Sequence, residues 1–177
     1  MKKQSLIIFS SFVLATATAF GADSSVTLKK VHICCEACVK GIQKSLKDID
    51  GVTVKADEDS ESVTLTSADN AKLQKAVNTL AESGYFGQSD NAEIKPVAKT
   101  GAKGDKVQSL TVEGVHLCCP GCVKAVDRAV KNTEGATGHT AKKNAETFVV
   151  SGDFNDQKFF DELQKEGLSG KVAKAGK

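Results

Sequence analysis

The sequence predicts an α+β protein made of two copies of one βαββαβ module, and three observations carry that prediction. The decapeptide "VHICCEACVK" at residues 31–40 returns as "VHLCCPGCVK" at 115–124. The offset between His32 and His116 is 116 − 32 = 84, and it also maps Cys34, Cys35 and Cys38 onto Cys118, Cys119 and Cys122 and Gly51 onto Gly135. Around each decapeptide the apolar residues follow one order of periodicities: strand, helix, strand, strand, helix, strand. In that order two helices pack on one face of a four-stranded antiparallel sheet, the ferredoxin-like arrangement.

The elements of the first copy follow in turn. Val26 to Ile33 alternates as a strand does. Val39, Ile42, Leu46 and Ile49 recur at helical spacing, and Asp50-Gly51 ends that run. "VTVKA" and "SVTLTS" are strands on either side of the acidic turn "DEDSE". Asp69 to Ser83 is a second helix, with Leu73, Ala76, Val77 and Leu80 inward, and "GYFGQ" begins a last strand. The second copy has a strand to Leu117 and a helix through Val123, Val126 and Val130. Strands near "GHTA" and "TFVVS" follow, then a helix through Phe159, Phe160 and Leu163 and a short strand after Gly167. The resulting division is residues 24–95 for the first module, 96–105 for a linker and 106–175 for the second module. The linker is polar, holds Pro and Gly, and has no apolar period.

Residues 1–21 read as a secretory signal peptide, with Lys2 and Lys3 ahead of an uncharged apolar run and Ala19-Phe20-Gly21 as the cleavage pattern. A membrane span is the competing reading, but the run is shorter than the roughly 20 residues a bilayer needs. No cysteine adjoins the cut, which argues against a lipid anchor. The expected location is secreted or periplasmic, with no membrane attachment after cleavage. Residues 23–95 carry 9 Lys+Arg and 12 Asp+Glu, net −3, and residues 96–177 carry 13 and 10, net +3. Nothing in that balance suggests nucleic acid.

Export bears on the thiols, because an oxidising compartment converts idle cysteines into disulfides. Cys35 and Cys38, and likewise Cys119 and Cys122, form CxxC pairs that straddle a helix start. There the free N–H groups and the positive end of the dipole favour thiolate over thiol. Thiolate is the form that binds Cu(I), and Zn(II) accepts it too. Pro120 suits a first helical turn. Strand alternation puts His32 and Cys34 on one side and Val31 and Ile33 on the other. His32, Cys34, Cys35 and Cys38 then offer the N, S, S, S set of tetrahedral zinc, and the second copy repeats it with His116, Cys118, Cys119 and Cys122. The bland reading of such a histidine is a surface residue or a cap for a neighbour, and both readings stay open here. His139 has no counterpart and reads as surface. The single methionine of the chain is Met1, so the mature protein has no methionine for a thioether copper site.

A "CCxxC" run after a strand, inside βαββαβ, resembles the heavy-metal-associated domain. That family includes copper chaperones, periplasmic mercury-binding proteins and the N-terminal modules of metal-pumping ATPases. Ile33-Cys34-Cys35-Glu36-Ala37-Cys38 and Leu117-Cys118-Cys119-Pro120-Gly121-Cys122 take the Met-x-Cys-x-x-Cys positions of its motif. The resemblance implies Cys35 with Cys38, and Cys119 with Cys122, as metal ligands, and Tyr85 as an aromatic residue close to the metal loop. Leu168 stands near the corresponding place in the second copy, which implies a less shielded site there. The chain departs from the family motif at His32 and His116, where the family has Gly, and at the extra Cys34 and Cys118. The expected function is an exported carrier or sequestering protein for Cu(I) or Zn(II), one ion per module, and not an enzyme. Its implied partners are the metal ion and a metal-transporting ATPase or another metal-binding protein. A periplasmic thiol–disulfide redox protein using the CxxC pairs is the alternative. A third reading makes the cysteines structural disulfides, between Cys34 and Cys118 or within each CxxC.

Overall fold

In the computed structural model, residues 23–174 are described, and the segment read as a signal peptide lies outside them. The first half contains β1 (Ser24–Lys29), α1 (Glu36–Leu46), β2 (Thr53–Asp57), β3 (Ser62–Ser67), α2 (Asn70–Glu82) and β4 (Gln88–Ser89). The second contains β5 (Lys106–Glu113), α3 (Pro120–Asn132), β6 (Ala136–His139), β7 (Thr147–Asn155), α4 (Asp156–Lys165) and β8 (Lys171–Val172). The two antiparallel sheets run β2-β3-β1-β4 and β6-β7-β5-β8, an order compatible with ferredoxin-like folds.

Local chemistry explains the elements. On β1, Val26 and Leu28 alternate inward and both are buried, as a sheet with one covered face requires. Asp69 caps α2, accepting from the N–H groups of Ala71 at 2.8 Å and Lys72 at 3.4 Å. Asn155 caps α4 by accepting from Lys158 N at 3.0 Å. Helices α1 and α3 begin differently. Their N-cap residues are Cys35 and Cys119, and neither thiol makes a geometrically complete capping bond.

Three differences from the sequence reading matter for function. Both first strands stop short of the cysteines. Lys30 turns the chain with φ of 58° and Gly114 with φ of 76°, so residues 31–35 and 115–119 are loops. The inward–outward alternation nevertheless continues through the first loop, with Val31 and Ile33 buried and His32 and Cys34 half-buried. The last strands are only two residues long, because Tyr85 and Leu168 pair with each other across the two halves. The segment read as a linker is held against the second half. The Asp156 carboxylate accepts from Lys103 N at 3.0 Å and Gly104 N at 2.8 Å, and Thr100 O accepts from Val172 N at 2.7 Å.

Candidate metal centre

The two halves meet along a short seam of backbone hydrogen bonds. Gly167 O accepts from Phe86 N at 3.0 Å and from His32 N at 3.1 Å, and Gly84 O accepts from Ser169 N at 2.9 Å. Close approach here depends on glycine. Gly84 and Gly167 have φ of 92° and 77°, and a Cβ on either would run into the backbone of His116 or His32. Tyr85 is buried in the seam. Its hydroxyl donates to Cys38 O at 3.3 Å and its ring lies 4.6 Å from that of His116. Leu168 is fully buried beside it, so both positions next to the loops are shielded.

The seam sets the two cysteine loops face to face. Cys34 Sγ lies 2.9 Å from Cys119 Sγ and 3.9 Å from Cys122 Sγ, and Cys118 Sγ lies 3.5 Å from Cys38 Sγ and 3.9 Å from Cys35 Sγ. Within each loop the separations are 3.7–3.9 Å. All six cysteines are free thiols. Gly121 keeps the approach open, because a Cβ there would sit 3.1 Å from Cys34 Sγ and 3.3 Å from Cys119 Sγ.

The environment divides the thiols by charge. Cys38 is held far below the ordinary thiol range, first by the facing Cys122 thiol and, against the effect of burial, by the His116 imidazole. Cys122, the other side of that contact, is raised by it and by burial. Cys119 comes down to about 7: burial opposes this, but Cys34 and the N–H groups of Cys122 and Gly121 stabilise its thiolate. Burial is the first cause that raises Cys34 and pushes Cys118 up to about 12. Burial also lowers His32, which favours the neutral imidazole that can act as a ligand.

Seven of the eight residues read from the sequence as ligands, all but His116, fall into overlapping donor groups at one place. The sequence reading groups each histidine with the cysteines of its own copy. In the structure, His32 gathers with Cys34 of its own loop and Cys122 of the other, while His116 joins none of these donor groups and sets its ring 4.6 Å from that of Tyr85. His32 Nε2 and His116 Nε2 are buried without a hydrogen-bond partner. A buried acceptor or donor left unmade is costly, so a ligand at this place suits the donor set. The reading of His139 as surface is corrected. Its side chain is only 12% exposed, and its Nδ1 accepts from Ala141 N at 3.1 Å.

The chain is similar to a heavy metal-associated isoprenylated plant protein. That Arabidopsis thaliana protein is 28% identical over 149 residues, which cover 77% of this chain and 59% of the relative. The chain thus spans less than two thirds of that protein's length. Among solved structures, it is similar to the N-terminal soluble domains of Bacillus subtilis CopA, with 16% identity, 86% of this chain and 95% of that one covered, and a TM-score of 0.31. No family model matches the chain. Among the described residues no helix is long and apolar enough to cross a membrane.

Proposed function

We propose that this protein binds and carries, or sequesters, a thiophilic heavy-metal ion, Cu(I) or Zn(II), through its two CCxxC loops, one ion per module. The observation that carries the reading is the convergence of six free thiols and the unpartnered His32 nitrogen at the N-termini of α1 and α3. Soft thiolates select soft or borderline cations, and the helix ends stabilise the deprotonated sulfur. Similarity to a heavy metal-associated plant protein supports the same class of cargo.

Delivery would proceed by ligand exchange. Cys35 and Cys119 are half-exposed, whereas Cys38 and Cys122 are buried. An incoming thiolate from a metal-transporting ATPase or another metal-binding protein replaces the outer sulfur first and the inner one second. No bond of a substrate is made or broken apart from those to the metal, so the protein acts as a carrier and not as an enzyme. With residues 1–21 read as a secretory signal peptide, the proposed site of this activity is the periplasm or the outside of the cell.

Competition titration against chelators of graded affinity tests the reading. Under reducing conditions the wild-type chain should hold Cu(I) or Zn(II), and a variant with Cys35, Cys38, Cys119 and Cys122 changed to Ser should lose most of that affinity. Equal retention by both proteins would refute it.

A further inference from the structure

The sulfur atoms are shared between overlapping groups. Four triads have all donor atoms within 4.8 Å of one another: His32 with Cys34 and Cys122, Cys34 with Cys35 and Cys119, Cys35 with Cys38 and Cys118, and Cys118 with Cys119 and Cys122. Three of the four draw on both halves. Cys34, Cys35, Cys118, Cys119 and Cys122 each belong to two triads, while Cys38 and His32 belong to one. Twelve donor positions are thereby filled by seven side chains. A thiolate has lone pairs for two metal ions at once, and a neutral imidazole nitrogen has one.

The spacing suits such sharing. A metal–sulfur bond of roughly 2.3 Å sets donors around a three- or four-coordinate ion about 3.8–4.0 Å apart. Apart from the 2.9 Å contact of Cys34 with Cys119, the sulfur separations run from 3.5 to 3.9 Å. Charge points the same way. Six thiolates with two monovalent ions leave −4 in a half-buried place, whereas four ions leave −2. The two helix N-termini facing the cluster offset roughly half a charge each.

We propose that the closed pair of loops holds a single thiolate-bridged cluster of four Cu(I) ions, one per triad, shared between the two halves. This rests on the metal-binding reading above and replaces independent loops by one site. Cys34 and Cys118 are then bridging ligands, and loading ties the halves together. Each ion enters with loss of thiol protons, so loading releases protons to solvent.

Native mass spectrometry of the full chain, titrated with Cu(I) under anaerobic reducing conditions, tests the proposal. The expected result is a cooperative step from metal-free protein to the form with four ions, with little of the one- and two-ion forms. The variant Cys34→Ser with Cys118→Ser keeps both CxxC pairs and should stop at two ions bound stepwise. Wild type that saturates at two ions or fewer would overturn the cluster and leave separate CxxC sites. A double variant that still takes four cooperatively would overturn the bridging roles. Wild type that retains neither Cu(I) nor, in a parallel titration, Zn(II) would instead defeat the metal-binding reading itself.

Discussion

Cys34 Sγ of the first loop and Cys119 Sγ of the second stand 2.9 Å apart, closer than any sulfur pair within either loop. The two residues do not correspond under the repeat. The extra cysteine of one copy meets the first CxxC cysteine of the other. Metal-free protein exposed to a mild disulfide oxidant should therefore form a Cys34–Cys119 crosslink before any bond inside a CxxC. Non-reducing peptide mapping reads this directly. The first bond appearing as Cys35–Cys38 or Cys119–Cys122, or as the repeat-related pair Cys34–Cys118, would contradict the observed facing of the loops.

The seam itself can be tested without metal. Gly84→Ala and Gly167→Ala each add a Cβ where the backbone of His116 or His32 already sits, at a positive φ. Each should lower unfolding free energy by about 1–3 kcal/mol, and scattering should show a larger radius of gyration as the halves separate. Unchanged denaturation midpoints and radius would mean that the seam does not persist in solution.

Tyr85 joins the seam to the metal loop, so its two functions can be separated. Tyr85→Phe loses the hydrogen bond to Cys38 O and should cost about 1 kcal/mol, whereas Tyr85→Ala removes the buried ring and should cost about 3–5 kcal/mol. Denaturant melts of both variants measure this. Equal small losses would move Tyr85 to a merely peripheral place.

The protein should fold without metal. Both halves contribute buried side chains to one apolar core, including Leu28, Ile42 and Leu73 from the first and Phe154, Phe159 and Phe160 from the second. Metal then adds stability by linkage. Chelated, reduced protein should keep its helical circular dichroism and melt cooperatively, at a lower temperature than the loaded form. A coil-like spectrum would show that the core does not suffice.

The histidines should separate the two candidate metals. Cu(I) is satisfied by two or three sulfurs, whereas zinc normally takes four donors. His32→Ala with His116→Ala should weaken zinc binding by at least the roughly 10–100-fold that loss of an outer-shell partner costs, whereas for Cu(I) it should disturb only the triad that holds His32 and leave the three all-sulfur triads in place. Competition titrations of both metals on wild type and variant compare the losses. Equal losses would deny the histidines a zinc-selective role.

Much of this was legible in the sequence, because the repeat and the hydrophobic periods act locally. The helix through Val39, Ile42 and Leu46, the second helix after Asp69 and the hairpin strands around "DEDSE" follow from spacing and turn chemistry alone. The strand ends did not follow, because Lys30 gives no warning of its positive φ and Tyr85 and Leu168 are drawn away by each other. At the site, the candidate residues of the two motifs were readable and their grouping in space was not. Periodicity orders residues along one copy, whereas His32 meets Cys122 only through the packing of one half on the other. The paired glycines Gly84 and Gly167, each just before Tyr85 or Leu168, were the available signal for that close approach.

Metal K-edge X-ray absorption on the full chain, loaded with Cu(I) under reducing conditions, tests the central claim most directly. Thiolate ligation predicts a first shell dominated by sulfur at about 2.2–2.3 Å, which disappears when all six cysteines are changed to Ser. A first shell of nitrogen and oxygen alone, or one that is the same in the cysteine-free variant, would contradict it.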